Sequence, residues 1–235
     1  MRKRYILCAI LGGCVAFISQ LPLAWIAPHF VPASLGQNIN YSGTLWNGRL
    51  GGLDYVGTAN FKLNPKFLMS GDLPLSFASQ SPAMSISGQA SRQILKNVLF
   101  MGTLAKLPTR DGRLKELAGK VNIQVDELQI ENDNCAFAAG VVSTDFLAMN
   151  QSRWQWKGPS LTGPISCEGG DVIVNLSGRE NRQIIRADLR LSKMGNYSAN
   201  ISVQTDQAEA GVVLPLYGFE KQGRQYKLTE QGQWR

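Results

Sequence analysis

Residues 171–205 read DVIVNLSGRENRQIIRADLRLSKMGNYSANISVQT, and the alternation in this stretch decides the fold. Ile185, Ala187, Leu189 and Leu191 fall on one face of an extended chain, with Arg186, Asp188 and Arg190 on the other. Side chains of a strand point to opposite faces with period two, so this is the pattern of a half-buried strand. Lys193-Met194-Gly195-Asn196 supplies turn residues. Beyond it Tyr197, Ala199, Ile201 and Val203 alternate with Ser198, Asn200, Ser202 and Gln204. Val172, Val174 and Leu176 form an earlier set that ends at Gly178. The segment predicts a three-stranded meander.

The same period recurs toward the N-terminus. Ile39, Tyr41 and Leu45 alternate, then Tyr55, Ala59, Phe61 and Leu63, with Gly48, Gly51 and Gly52 read as the turn between the two sets. Val121, Ile123 and Val125 keep one phase, whereas Leu128 and Ile130 are shifted by one residue, which marks Asp126-Glu127 as a bulge. Loosely helical spacing occurs only at Ser91–Leu99 and Gly112–Ala118. The fold class is therefore all-β, mainly antiparallel sheet, with two sheet segments or a β-groove as alternative arrangements. The polar stretch Pro108–Arg113 reads either as the divide between possible subdomains 28–108 and 114–235 of one domain covering 28–235, or as one long hairpin loop.

The 235 residues carry 24 Lys+Arg against 17 Asp+Glu, a formal charge of +7 with 17% charged residues. Three of the positive charges are Arg2, Lys3 and Arg4, and no acid precedes Asp54, so the remainder is close to balance. That gives no reason to expect a nucleic-acid partner. Residues 1–4 read as a cytoplasmic tail and 5–27 as a transmembrane helix, since about 23 residues without a charge are enough to cross a hydrocarbon core. The basic tail orients the anchor with the N-terminus in the cytoplasm. A cleaved signal peptide and lipidation at Cys14, in Leu11-Gly12-Gly13-Cys14, are the competing readings. The retained anchor is favoured by Trp25 at the interface and by the lack of a small-x-small cleavage site.

Function classes narrow by what the chain lacks. His29 is its only histidine and lies at the membrane exit, and no nucleotide, nucleophile-elbow or zinc-protease motif occurs. No catalytic, cofactor-binding or metal-binding residue is expected. The acidic group Asp126, Glu127, Glu131 and Asp133 reads as a solvated strand edge rather than a cation site. The Asn-x-Ser triplets at Asn175, Asn196 and Asn200 spell strand periodicity. Trp154 and Trp156, flanked by Arg153 and Lys157, are either core residues or a possible interaction surface.

Cys8 and Cys14 lie within the apolar run, where thiols behave as small apolar side chains. Cys135 and Cys167 lie in the exported part. An oxidising periplasm would join them in a disulfide, contributing roughly 3–4 kcal/mol by loop closure, the alternative being two buried thiols.

Several segments, taken in order, carry a resemblance. They are Leu21-Pro22 leading to Trp25, Ser42-Gly43-Thr44-Leu45-Trp46-Asn47-Gly48, Phe61-Lys62-Leu63-Asn64-Pro65 and Cys135-Ala136-Phe137-Ala138-Ala139-Gly140. Leu161-Thr162-Gly163-Pro164-Ile165-Ser166-Cys167, Tyr217-Gly218-Phe219, Tyr226 and Gly232-Gln233-Trp234 complete the set. Together they resemble the family of protein N of the type II (general) secretion system, although Phe61 stands where that family carries Trp. The resemblance implies a non-enzymatic accessory component of the machine that exports folded proteins across the outer membrane. It implies a single-pass inner-membrane location, a periplasmic C-terminal domain, and other inner-membrane secretion subunits as partners. The alternative function is a membrane-anchored β-groove protein that binds or transfers lipid. Thiol labelling of the denatured chain is expected to find Cys135 and Cys167 blocked until reductant is added; immediate labelling of both would contradict the disulfide.

Overall fold

The computed structural model describes residues 20–26, 39–53, 56–64, 74–106 and 116–233. Arg2, Lys3, Arg4, Cys8, Cys14, His29, most of the expected span 5–27 and the stretch 108–113 lie outside them. Among the described residues no helix is long and apolar enough to cross a membrane. The structure is all-β, built of antiparallel strands that pair for the most part with their neighbours in sequence. By compactness the chain divides into two units, Met1–Ser81 with Gln89–Arg92, and Pro82–Gly88 with Gln93–Arg235.

The first unit holds β1 (Asn40–Gly43), β2 (Asn47–Leu53), β3 (Gly57–Leu63) and β4 (Leu75–Gln80), paired consecutively. Gly48, Gly51 and Gly52 do not form the turn expected of them. They sit inside β2, and the reversal falls at residues 44–46, where the Thr44 N–H donates to the Asn47 carbonyl at 3.0 Å. Gly48 is required by close approach, because a Cβ there would overlap the Phe61 ring and the buried Leu23 of the short helix α1 (Leu23–Ile26). Gly52, at φ +74°, lies in the irregularity between Leu50 and Leu53.

Strand β5 (Met84–Ala90) has residues in both units. The second unit contains β6 (Ile94–Thr103), β7 (Lys120–Glu131), β8 (Asn134–Thr144), β9 (Leu161–Glu168), β10 (Asp171–Glu180), β11 (Gln183–Leu191), β12 (Asn196–Gln204), β13 (Glu220–Gln222) and β14 (Gln225–Gln233). The predicted meander is β10–β12. Its register sets Ala187 opposite Leu176 on one side and Ile201 on the other, so the apolar faces of the three strands coincide.

The predicted bulge is also present. Val125 pairs with Gly140 and Glu127 with Ala139, which leaves Asp126 as the extra residue of β7. Gln129 then faces Phe137 while Ile130 faces Cys135, so Ala136 is a compensating extra residue in β8 and the register is restored. The helical spacing at 91–99 is not a helix: Ile94–Thr103 is β6, paired with β7 along its length. Asn97 adopts φ +51°, which shifts the strand's phase and imitates a three-to-four-residue spacing.

At Gly163 in β9, a Cβ would overlap the carbonyl of Asn175 in β10. This is backbone that no rotamer change relieves. Gly163→Val is expected to destabilise the full chain by about 2–3 kcal/mol in urea unfolding, whereas Gly51→Ala, which meets only ordinary contacts, changes stability by less than about 0.5 kcal/mol. Equal effects of the two substitutions would contradict this register.

Candidate functional site

The inward faces of β10, β11, β12 and β14 form an apolar floor. Leu176, Ile185, Ala187, Ile201, Val203 and Leu228 lie on it, each on its strand's alternate position. A face this wide has to be covered, and a roof of short helices does so. One part of the roof is α2 (Phe146–Met149) followed by α3 (Gln151–Trp154) and Trp156; the other is α4 (Ala208–Leu216) with Tyr217 and Phe219.

Each part of the roof is fixed by buried polar contacts. Asn150, between α2 and α3, is almost fully buried. Its Oδ1 accepts the Ala118 N–H at 3.0 Å, while Nδ2 donates to the carbonyls of Ala118 at 2.7 Å and Phe146 at 2.6 Å. Gln155 then turns into the left-handed region at φ +53° and aims Trp156 inward. The Trp156 Nε1–H donates to Gln183 Oε1 at 2.8 Å, and Gln183 Nε2 donates to the Lys157 carbonyl at 2.9 Å. Gln183 is 0% exposed, so both its polar ends are spent inside the core. Across the roof the Trp154 Nε1–H donates to the Tyr217 hydroxyl at 2.9 Å, with the two rings edge to face at 5.7 Å.

Helix α4 ends in a left-handed glycine cap. The Gly218 N–H donates to the Pro215 carbonyl at 3.0 Å and the Phe219 N–H to the Leu214 carbonyl at 3.2 Å, with Gly218 at φ +86°. That motif folds Phe219 back toward Leu214, and both line the site.

Between floor and roof lies a cavity of about 310 Å³. Among the described residues, Glu230 is the one charged residue in its lining. An apolar void of that size, sealed and empty, would cost about 7 kcal/mol at ~24 cal/mol per Å³, comparable with a domain's whole net stability. The cavity is not sealed, because Glu230 on β14 is exposed and marks a mouth.

Trp154 and Trp156 are thus at 8% and 2% exposure, and their indoles face the cavity instead of a solvent surface. The expected alternation of a strand is not the reason; a helix end and a left-handed residue bring both rings inward. Arg153 pairs with Glu116, and Lys157 with Glu180 at 2.7 Å, both at the surface. Cys135 and Cys167 form a disulfide with Cα atoms 5.5 Å apart, linking β8 to β9.

The acidic group is dispersed into separate contacts. Gln124 Nε2 donates to Asp126 at 2.9 Å, and Gln129 Nε2 to Glu127 at 2.7 Å. The Gln129 amide and, beyond it, the Lys96 ammonium 3.4 Å away hold the Glu127 carboxyl below its ordinary value. A carboxyl lowered in this way stabilises the fold at neutral pH, and that contribution disappears as the pH falls through its folded value. Among the described residues no group of three or more His, Cys, Asp or Glu is placed to hold a metal ion.

The family model for type II secretion system (T2SS), protein N, matches residues 39–229, most of the chain. The chain belongs to that family. Membership makes it an accessory, envelope-associated component of the type II secretion system that interacts with other components of the machine. No curated protein and no solved structure matches the chain significantly.

The roof's polar anchors make a stability prediction. Gln183→Leu leaves the Trp156 N–H and the Lys157 carbonyl without partners and is expected to cost about 2–4 kcal/mol, while Tyr217→Phe, at a partly exposed pair, costs about 1 kcal/mol. Urea unfolding followed by tryptophan fluorescence measures both. A neutral Gln183→Leu would contradict the anchoring.

Proposed function

We propose that this member of the T2SS protein N family is a non-catalytic assembly component held in the bacterial inner membrane. Residues 5–27 cross the bilayer once, Arg2, Lys3 and Arg4 keep the N-terminus in the cytoplasm, and residues 28–235 work in the periplasm. The family match over 39–229 is the observation that carries this reading. The Cys135–Cys167 disulfide supports it, since such bonds persist in oxidising compartments.

The physical division of labour is simple. The anchor fixes a disulfide-linked β-domain beside the membrane, where it contributes contacts to a larger assembly. With no nucleotide motif in the sequence, the energy for export enters through another subunit.

Crosslinking intact membranes and purifying the tagged full-length chain under denaturing conditions tests the proposal. Other inner-membrane secretion subunits are expected in the crosslinked products, and protease added to spheroplasts should digest the C-terminal domain while sparing the tail. Absence of every secretion subunit, or a C-terminal domain protected from that protease, would overturn it.

A further inference from the structure

We propose that the cavity between the strand floor and the roof of α2, α3 and α4 is a binding site for one hydrocarbon chain of a membrane lipid, its headgroup outside the mouth at Glu230. The chemistry of the lining is the first argument. The polar atoms nearest the interior are already committed: the Trp154 N–H to Tyr217, the Trp156 N–H to Gln183, and both ends of the Gln183 amide. Among the described residues no buried side-chain nitrogen or oxygen lacks a partner. A peptide, sugar or phosphate entering this space would lose its hydration and find too few replacement hydrogen bonds, Glu230 at the mouth and the Tyr217 hydroxyl being the polar groups left in the lining. A chain of methylenes loses nothing of the kind, and about 310 Å³ is at the small end of ordinary ligand sites.

The mouth is the second argument. Along the inward row of β14, Tyr226 and Leu228 give way to Glu230, so the site passes from apolar to charged in a single step of the strand. An amphiphile with its chain inside and its polar end in water matches that gradient.

The outer surface of the roof is the third, and it names the membrane as the source. Beyond Glu209, which is exposed in its first turn, helix α4 is apolar on both sides: Ala210 and Leu214 are buried against the core, while Val212 and Leu216 are 70% and 78% exposed. Turns that are apolar all round, as those after Glu209 are, belong in an apolar environment on both faces. Met149 of α2, on the same roof, is also exposed. A roof with this outer surface suits contact with the bilayer interface from which a chain would be drawn. The inference goes beyond membership of the secretion machine and does not depend on it.

The test uses the full-length chain in its native membranes, loaded with a phospholipid that carries a diazirine in one acyl chain and photolysed. Labelled peptides are expected to span Trp154–Trp156 and Val213–Phe219, with labelling competed by unmodified phospholipid. Ala187→Phe fills the floor and Val213→Trp fills the roof; each should reduce that labelling at least about tenfold. Ala187→Phe should keep the thermal midpoint at or above that of the original chain, as a cavity-filling change does, and Val213→Trp keeps the test valid if Ala187→Phe fails to fold. Val141→Phe, on the exposed face of β8, should leave labelling unchanged. Labelling confined to other peptides, or undiminished in a folded filled variant, would overturn the proposal. So would a photoreactive residue in place of Leu228 that traps a protein segment and no lipid.

Discussion

The hydrogen bond from the Trp156 indole to Gln183 at 2.8 Å is the contact on which the second unit turns. A sheet that is apolar along one face must have that face covered, and an antiparallel meander brings no helix of its own to do it. Here the cover is improvised from connections: the segment between β8 and β9, and the segment between β12 and β13. Gln183 stands at the head of β11, on the same inward row as Ile185 and Ala187. Its amide therefore fixes the first connection to the floor, and the Trp154–Tyr217 bond fixes the second connection to the first. A cover made of four-residue and nine-residue helices cannot fill the whole span, and the space left over is the cavity.

The disulfide acts at the other side of the same core. It joins neighbouring strands β8 and β9 just where the second bulge, at Ala136, has restored the register. Cross-linking there reduces the freedom of the unfolded chain and leaves the cavity untouched. The two devices allow the unit to be held together at its strands while its roof stays thin. Under the proposed assembly role and the proposed lipid site, a stable floor with an exposed roof would serve both partner binding and contact with lipid.

The sheet was legible in the sequence because period two survives wherever one face is buried. The β10–β12 meander and the Asp126 bulge followed from apolar phase alone. Asn97 defeated the same reasoning, since one left-handed residue shifts the phase and makes a strand resemble a short helix. Gly48 read as a turn because its true cause, the Phe61 ring and Leu23 packed over it, lies outside any local window. The roof was the least legible. Ala208–Leu216 has neither an amphipathic period nor an unbroken run of helix formers, with Gly211 and Pro215 inside it, and only the following Tyr217-Gly218-Phe219 could have signalled its cap. The two tryptophans read either as core residues or as an interaction surface; both are buried, and the residue that holds Trp156, Gln183, is a lone polar side chain on an apolar row that gave no motif.

The central claim is that the inward face of β10–β14 is covered incompletely, leaving an open apolar space under α4. Xenon binds such spaces without needing polar partners, so methyl NMR of the full-length chain in detergent under xenon pressure measures it directly. The account predicts saturable shifts confined to methyls of Ala187, Ile185, Val203 and Leu214. Methyls there that do not respond, as a closely packed core would give, would contradict it.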